Sequence, residues 1–263
     1  LYRAMLERDG PGAQSLVSLA QALSRAGRGD EAQATLERAV EVAPEVPETF
    51  IALSLLHRQQ EDYAAALRVA EAGLERHPAH QPLLRVAATS ARDTNELRKA
   101  IAYGQQIIEQ NPNDLGDRFI FATLLDKARA DRDAIILYRE VVDAQRNNWA
   151  AMNNLALVLE RTGNEKEALV YARRAAQLQP DNPAVKHTIA WVLHRNGRSG
   201  EAEPLMAEAA EALPEIGEVR MHFGMILHAR GKIDDARREL SAGLRLDPDH
   251  DDAPEAQDLL DSL

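Results

Sequence analysis

Residues 149–182 read WAAMNNLALVLERTGNEKEALVYARRAAQLQPDN, and this stretch decides the fold. Leu155, Ala156 and Leu159 recur at helical spacing until Gly163. Glycine adopts the left-handed backbone that a helix end favours. A second periodic run carries Ala168, Ala172 and Ala175 and ends near Gln179. Pro180 cannot continue it, because proline lacks an amide proton and clashes with the preceding turn. The stretch therefore reads as helix, tight turn, helix. Small side chains at Ala156 and Ala168 let the two helices approach closely, and a larger residue there would cost about 1–3 kcal/mol in overpacking.

The pattern repeats on both sides. Pro44, Pro78, Pro112, Pro180, Pro214 and Pro248 share one 34-residue grid, whose one empty point is Arg146. Ala32, Ala66, Ala100, Ala134, Ala168, Ala202 and Ala236 hold a second column without exception. The grid defines seven units: 13–46, 47–80, 81–114, 115–148, 149–182, 183–216 and 217–250. Residues 1–12 read as the tail of an earlier unit, with Tyr2 and Met5 in its apolar columns. Residues 251–263 read as a capping helix, apolar at Leu259 and Leu260, with Asp251, Asp252, Asp258 and Asp261 facing water. Gly27, Gly197 and Gly231 share the Gly163 column, whereas Glu61, Asn95 and Arg129 replace it and predict turns that close differently.

Composition agrees with close-packed helices. Of 263 residues, 45% are hydrophobic and only 4% aromatic, and alanine is abundant. The net charge of −11 argues against nucleic acid as a partner, which a basic surface would attract. No uncharged run approaches the ~20 residues of a membrane span, and with no Cys there are no disulfides or thiolate metal sites. The sequence starts at Leu1 without a leader, so we read it as part of a longer chain, with its targeting signal out of view.

The chain resembles the tetratricopeptide repeat (TPR) family. Unit 13–46 carries the signature in Leu16, Leu19, Ala20, Leu23, Ala32, Leu36, Ala39 and Pro44. Unit 217–250 carries it in Phe223, Gly224, Leu227, Ala236, Leu240, Gly243 and Pro248. Units 81–114 and 115–148 depart at Gly104, Arg118 and Arg146, which predicts less regular packing there. The resemblance implies an all-α, right-handed solenoid of helix-turn-helix units whose first helices line a concave groove, and a non-catalytic scaffold that binds a partner peptide or helix in it.

Sorting the first helices by face gives two candidate surfaces. In the C-terminal units the face opposite the core carries Asn153, Asn154, Leu157, His187, Thr188, Trp191, His194, Arg195, Met221, His222, Met225 and His228. Asn can donate and accept along an extended backbone, and Trp, Arg and Met are frequent anchors, so one reading is a peptide-binding surface. The competing reading has Trp191 and the methionines packing on one another between neighbouring units. A metal site from His187, His194, His222 and His228 is disfavoured, because His187 and His194 lie seven residues apart on one helix. In the N-terminal units Ile51, Leu55, Val86, Phe119 and Ile120 form an apolar stripe edged by Arg58, Arg85 and Arg92. It takes an apolar partner segment, a second copy of the chain as a homodimer, or flanking sequence of its own.

Nothing else points to chemistry. There is no phosphate-cradling Gly-rich loop, no His-Glu-x-x-His pair and no Gly-x-Ser-x-Gly elbow, so we expect no catalytic residues, no cofactor and no metal. The clamp by which chaperone-binding members of the family hold a terminal carboxylate would need an Asn at Thr188 and a base near Glu218, which disfavours that partner class. Residues 152–194 are similar to the C-terminal repeats of bacterial TPR proteins of exopolysaccharide export and PEP-CTERM (exosortase) systems. They keep Asn153, Asn154, Leu155, Ala156, Asp181, Asn182, Pro183, Ala184, Val185 and Trp191, but have His187, Thr188, Ile189 and Ala190 in place of Asp-Thr-Leu-Gly. Arg far outnumbers Lys, as in a GC-rich bacterium. The similarity implies a periplasmic scaffold. The alternatives are a cytoplasmic adaptor or co-chaperone, and the recognition arm of a larger enzyme such as a glycosyltransferase.

Overall fold

A computed structural model describes residues 12–263. The expected earlier-unit tail, with Tyr2 and Met5, lies outside the described residues. Among those described there are 15 α-helices and no strand. They form two compact units, one up to Ala130 and one over Asp131–Leu263. The division falls inside the 115–148 stretch, between its two helices.

The first unit contains α1 (Ala13–Arg25), α2 (Gly29–Val42), α3 (Pro47–Gln59), α4 (Tyr63–Arg76), α5 (Gln81–Asp93), α6 (Leu97–Gln110) and α7 (Leu115–Lys127). The second contains α8 (Asp131–Ala144), α9 (Trp149–Arg161), α10 (Glu165–Leu178), α11 (Pro183–Arg195), α12 (Ser199–Ala212), α13 (Gly217–Ala229), α14 (Ile233–Leu246) and α15 (Ala253–Ser262).

The alanine column explains the hairpins. All seven members, Ala32 to Ala236, are 0% exposed. Each sits on a second helix in a fully buried position, where close packing favours a methyl. Glycines extend the rule. A Cβ on Gly243 would lie 2.5 Å from Met221 Cγ, and one on Gly224 2.6 Å from Leu240 Cγ. Gly104, expected to loosen its unit, instead admits the Phe121 ring, whose Cδ2 would stand 2.5 Å from an added Cβ. The missing bulk on α6 is thus supplied from α7.

Two expectations about turns need correction. Glu61 (φ 61°), Asn95 (φ 63°) and Arg129 (φ 58°) adopt the same left-handed backbone as Gly27, Gly163, Gly197 and Gly231. At Glu61 and Asn95 the packed hairpins on either side dictate the turn, and all three non-glycine residues carry the strain of positive φ. Arg146 likewise leaves its turn intact. The Asn148 amide donates to the Gln145 carbonyl at 3.0 Å, just as His80 donates to His77. Asn148 Oδ1 then caps α9 by accepting from the Ala151 amide at 3.0 Å.

In the first unit, α1, α3, α5 and α7 adjoin one another in sequence, while the backbones of α2, α4 and α6 pack only on first helices and Lys99 and Tyr103 of α6 reach Glu71 of α4 by their side chains. In the second unit, α9, α11, α13 and α15 adjoin in the same way, while the backbones of α8, α10, α12 and α14 stay apart and Arg139 of α8 reaches Glu167 of α10 by its side chain. Each unit therefore presents a continuous wall of first helices.

Candidate functional site

The wall of the second unit is closed by its own side chains. His187 Nε2 and His222 Nδ1 lie 2.9 Å apart, which joins α11 to α13. His222 Nε2 lies 2.8 Å from Asp252 Oδ2, at the entrance to α15. The Trp191 ring stacks on His222 at 3.6 Å and 3°, and its indole N–H donates to Glu160 Oε2 on α9 at 3.1 Å. Arg195 holds the same Glu160 at 3.0 Å, with its guanidinium 5.5 Å from the Trp191 ring centroid. His250 packs its ring edge-on to His222.

Burial governs the charges here. It pushes His187 down to about 4, with the nearby His250 adding to the effect. His194, hydrogen-bonded to Ser199 Oγ at 2.9 Å, is pushed to about 4 for the same reason. Burial also lowers His222, against the opposing hydrogen bond to Asp252. These imidazoles are neutral at pH 7. Burial raises the Glu160 carboxyl even beside Arg195, because desolvation outweighs the ion pair. The hydrogen bond from His222 lowers Asp252.

The expected open groove is therefore largely filled. Trp191 is 4% exposed and His222 1%. Met221 and Met225 are core residues, Met221 being seated against Gly243. Asn153 is buried with Oδ1 unpartnered, and Asn154 donates to the Tyr138 hydroxyl at 3.3 Å. His187 is buried, His194 half-buried and Arg195 exposed but paired. Asp252, expected to face water, is half-buried against His222. The four histidines do not act as a set. The ligand atoms that converge, all within 4.8 Å of one another, belong to His187, Glu218 and His222.

The wall of the first unit is different. Arg85 holds Asp117 in a two-point ion pair, 2.6 Å from Nε to Oδ1 and 2.8 Å from Nη2 to Oδ2. Gln81 adds a third donor at 2.9 Å, and Asp117 is 1% exposed. Arg58 reaches Ser90 Oγ at 3.1 Å and Asp93 at 2.8 Å. Arg85 is thus a staple between α5 and α7 rather than a free rim charge. Val86 is buried, Ile51 and Ile120 pack on the core, and Phe119 is half-buried. Leu55 is 45% exposed. The expected single stripe is two apolar patches, on α3 and on α7, separated by the polar staples of α5.

Sequence reasoning missed Asp117, Glu160, Glu218, His250 and Asp252. Their signal was present: the staples join residues 30–36 positions apart, about one unit.

Family models described as tetratricopeptide repeat match residues 13–38, 51–114, 122–183 and 193–263. No curated protein matches the chain. A tetratricopeptide repeat protein from Parabacteroides merdae superposes with TM-score 0.74 at 15% identity, over 95% of this chain and 97% of that one. YrrB, described as a TPR protein with an unusual peptide-binding site, does so with TM-score 0.59 at 21% identity, over 71% of this chain and 96% of that one. PilF of Pseudomonas aeruginosa gives 0.62 at 16%, over 81% and 97%. At these identities the likeness is one of fold. The alternating helices, the buried alanine column and the matched repeats together place the chain in the tetratricopeptide repeat family.

Proposed function

We propose that this chain is a non-catalytic protein-interaction scaffold whose first-unit wall receives a partner peptide or helix. The observation that carries this is Leu55, an exposed leucine on a wall helix beside the half-buried Ile51. A large apolar side chain left open on a continuous helical wall is a natural anchor for a second polypeptide. Many polar residues of the walls are engaged with one another, Arg85 with Asp117 and His222 with Asp252 among them, which suits a scaffold. YrrB, of the same fold, is described as having a peptide-binding site. The similarity of residues 152–194 to exopolysaccharide-export repeats supports a periplasmic setting in bacterial polysaccharide export or assembly.

The test is capture from periplasmic and cytoplasmic extracts of a GC-rich bacterium, with light scattering on the purified protein. Leu55→Asp should abolish capture of a periplasmic partner while leaving the helical circular dichroism unchanged. Phe119→Ser, on the second patch, should weaken capture less. A partner found only in cytoplasmic extract would refute the setting. Undiminished capture by Leu55→Asp would refute the wall, and a dimer that Leu55→Asp dissociates would make a second copy its occupant.

A further inference from the structure

His187, Glu218 and His222 hold more geometry than a packing contact needs. Glu218 and His222 are four residues apart on α13, which puts both on one face of that helix. His187 approaches the same point from α11, and all three ligand atoms lie within 4.8 Å of one another. The outer contacts matter as much. His222 Nε2 donates to Asp252 Oδ2 at 2.8 Å, so the neutral ring presents the lone pair of Nδ1 towards His187 Nε2, 2.9 Å away. A carboxylate behind a histidine fixes the ring and makes its far nitrogen a better ligand. Glu218 is the most exposed of the three and leaves a side open to solvent. His250 Nε2 stands 3.8 Å from Glu218 Oε2 on that side.

We propose that His187 Nε2, His222 Nδ1 and a Glu218 carboxylate oxygen bind a divalent transition-metal ion of the zinc class, with water in the remaining position. Two imidazoles and one carboxylate suit Zn2+, Ni2+ or Cu2+, whereas Mg2+ and Ca2+ require oxygen ligands. Ligand bonds of ~2.0–2.1 Å in a tetrahedral site put two nitrogens about 3.3 Å apart, so the rings need to separate by a few tenths of an ångström. His187 exchanges the proton on Nε2 for one on Nδ1, and the ion takes the place of the hydrogen bond between the rings. The ion would tie α11 to α13 and, through Asp252, to the start of α15.

Trp191 supplies a local probe, since its ring lies 3.6 Å from that of His222. The sequence has two tryptophans, so Trp149→Phe leaves Trp191 as the sole emitter. Untagged protein of that background is titrated with Cu2+, then challenged with Zn2+ and with Mg2+. One equivalent of Cu2+ should quench the emission saturably, a large excess of Zn2+ should restore it, and the same excess of Mg2+ should not. Calorimetry with Zn2+ should give one site. Glu218→Gln, at a half-exposed position, should weaken binding at least about tenfold without changing the fold, and His187→Gln should do so more strongly. Asp252→Asn should lower affinity about 10-fold, as loss of a supporting carboxylate does. No saturable quench at one equivalent, or a quench unaltered by both Glu218→Gln and His187→Gln, overturns the site.

Discussion

The two units are made of the same hairpins, yet their walls solve the same problem in opposite ways. The first staples α5 to α7 with a charged pair, Arg85 and Asp117, and leaves Leu55 in water. The second fills its wall with stacked rings, Trp191 on His222, and ties them to Asp252 beside α15. A wall that carries apolar surface to solvent is suited to a partner, and a wall that satisfies itself is suited to rigidity. The repeat fixes where the first helices lie, while the side chains at a few columns decide whether their surface stays open.

The largest expected effect tests the staple. Arg85→Met leaves the Asp117 carboxylate buried with Gln81 and its own helix as its remaining support. It should destabilise the protein by about 3–5 kcal/mol in urea unfolding. Adding Asp117→Leu should recover most of that loss, because a packed apolar pair needs no partner. If Arg85→Met is neutral, the contrast between the walls fails.

Next comes the dependence of the second unit on pH. His187 and His194 stand at about 4 in the fold against about 6.5 in an unfolded chain. Between those values the unfolded state binds more protons, so stability is lost as pH falls from about 6.5 towards 4. The lowered Asp252 acts in the same direction at still lower pH. Thermal unfolding at pH 5 should occur about 10 °C below that at pH 7. A replacement such as His194→Gln should flatten the slope.

The smallest effect separates the turns. The first unit closes one turn at Gly27 and the others at Glu61, Asn95 and Arg129, all with positive φ, whereas the second uses Gly163, Gly197 and Gly231. Glu61→Gly should stabilise by about 1 kcal/mol by releasing strain, and Gly163→Ala should destabilise by a similar amount. Equal signs for the two would show that the turns differ after all.

Much of the fold was legible because it is periodic. The alanine column marks the buried face of each second helix and the proline column the end of that helix, and both recur every 34 residues, with Arg146 the one exception in the proline column. The candidate site was legible only in part. Trp191, His187 and His222 were singled out and do come together, but as a closed stack. Gly104 looked like a defect until Phe121 was seen to fill it.

By itself the sequence determined the helical class, the positions of the turns and the column of alanines on the second helices. The tertiary structure alone decided which wall residues are spent on one another. Burial and pairing depend on neighbours one repeat away, Asp117 for Arg85 and Asp252 for His222, and hydrophobic periodicity along a single helix does not carry that information.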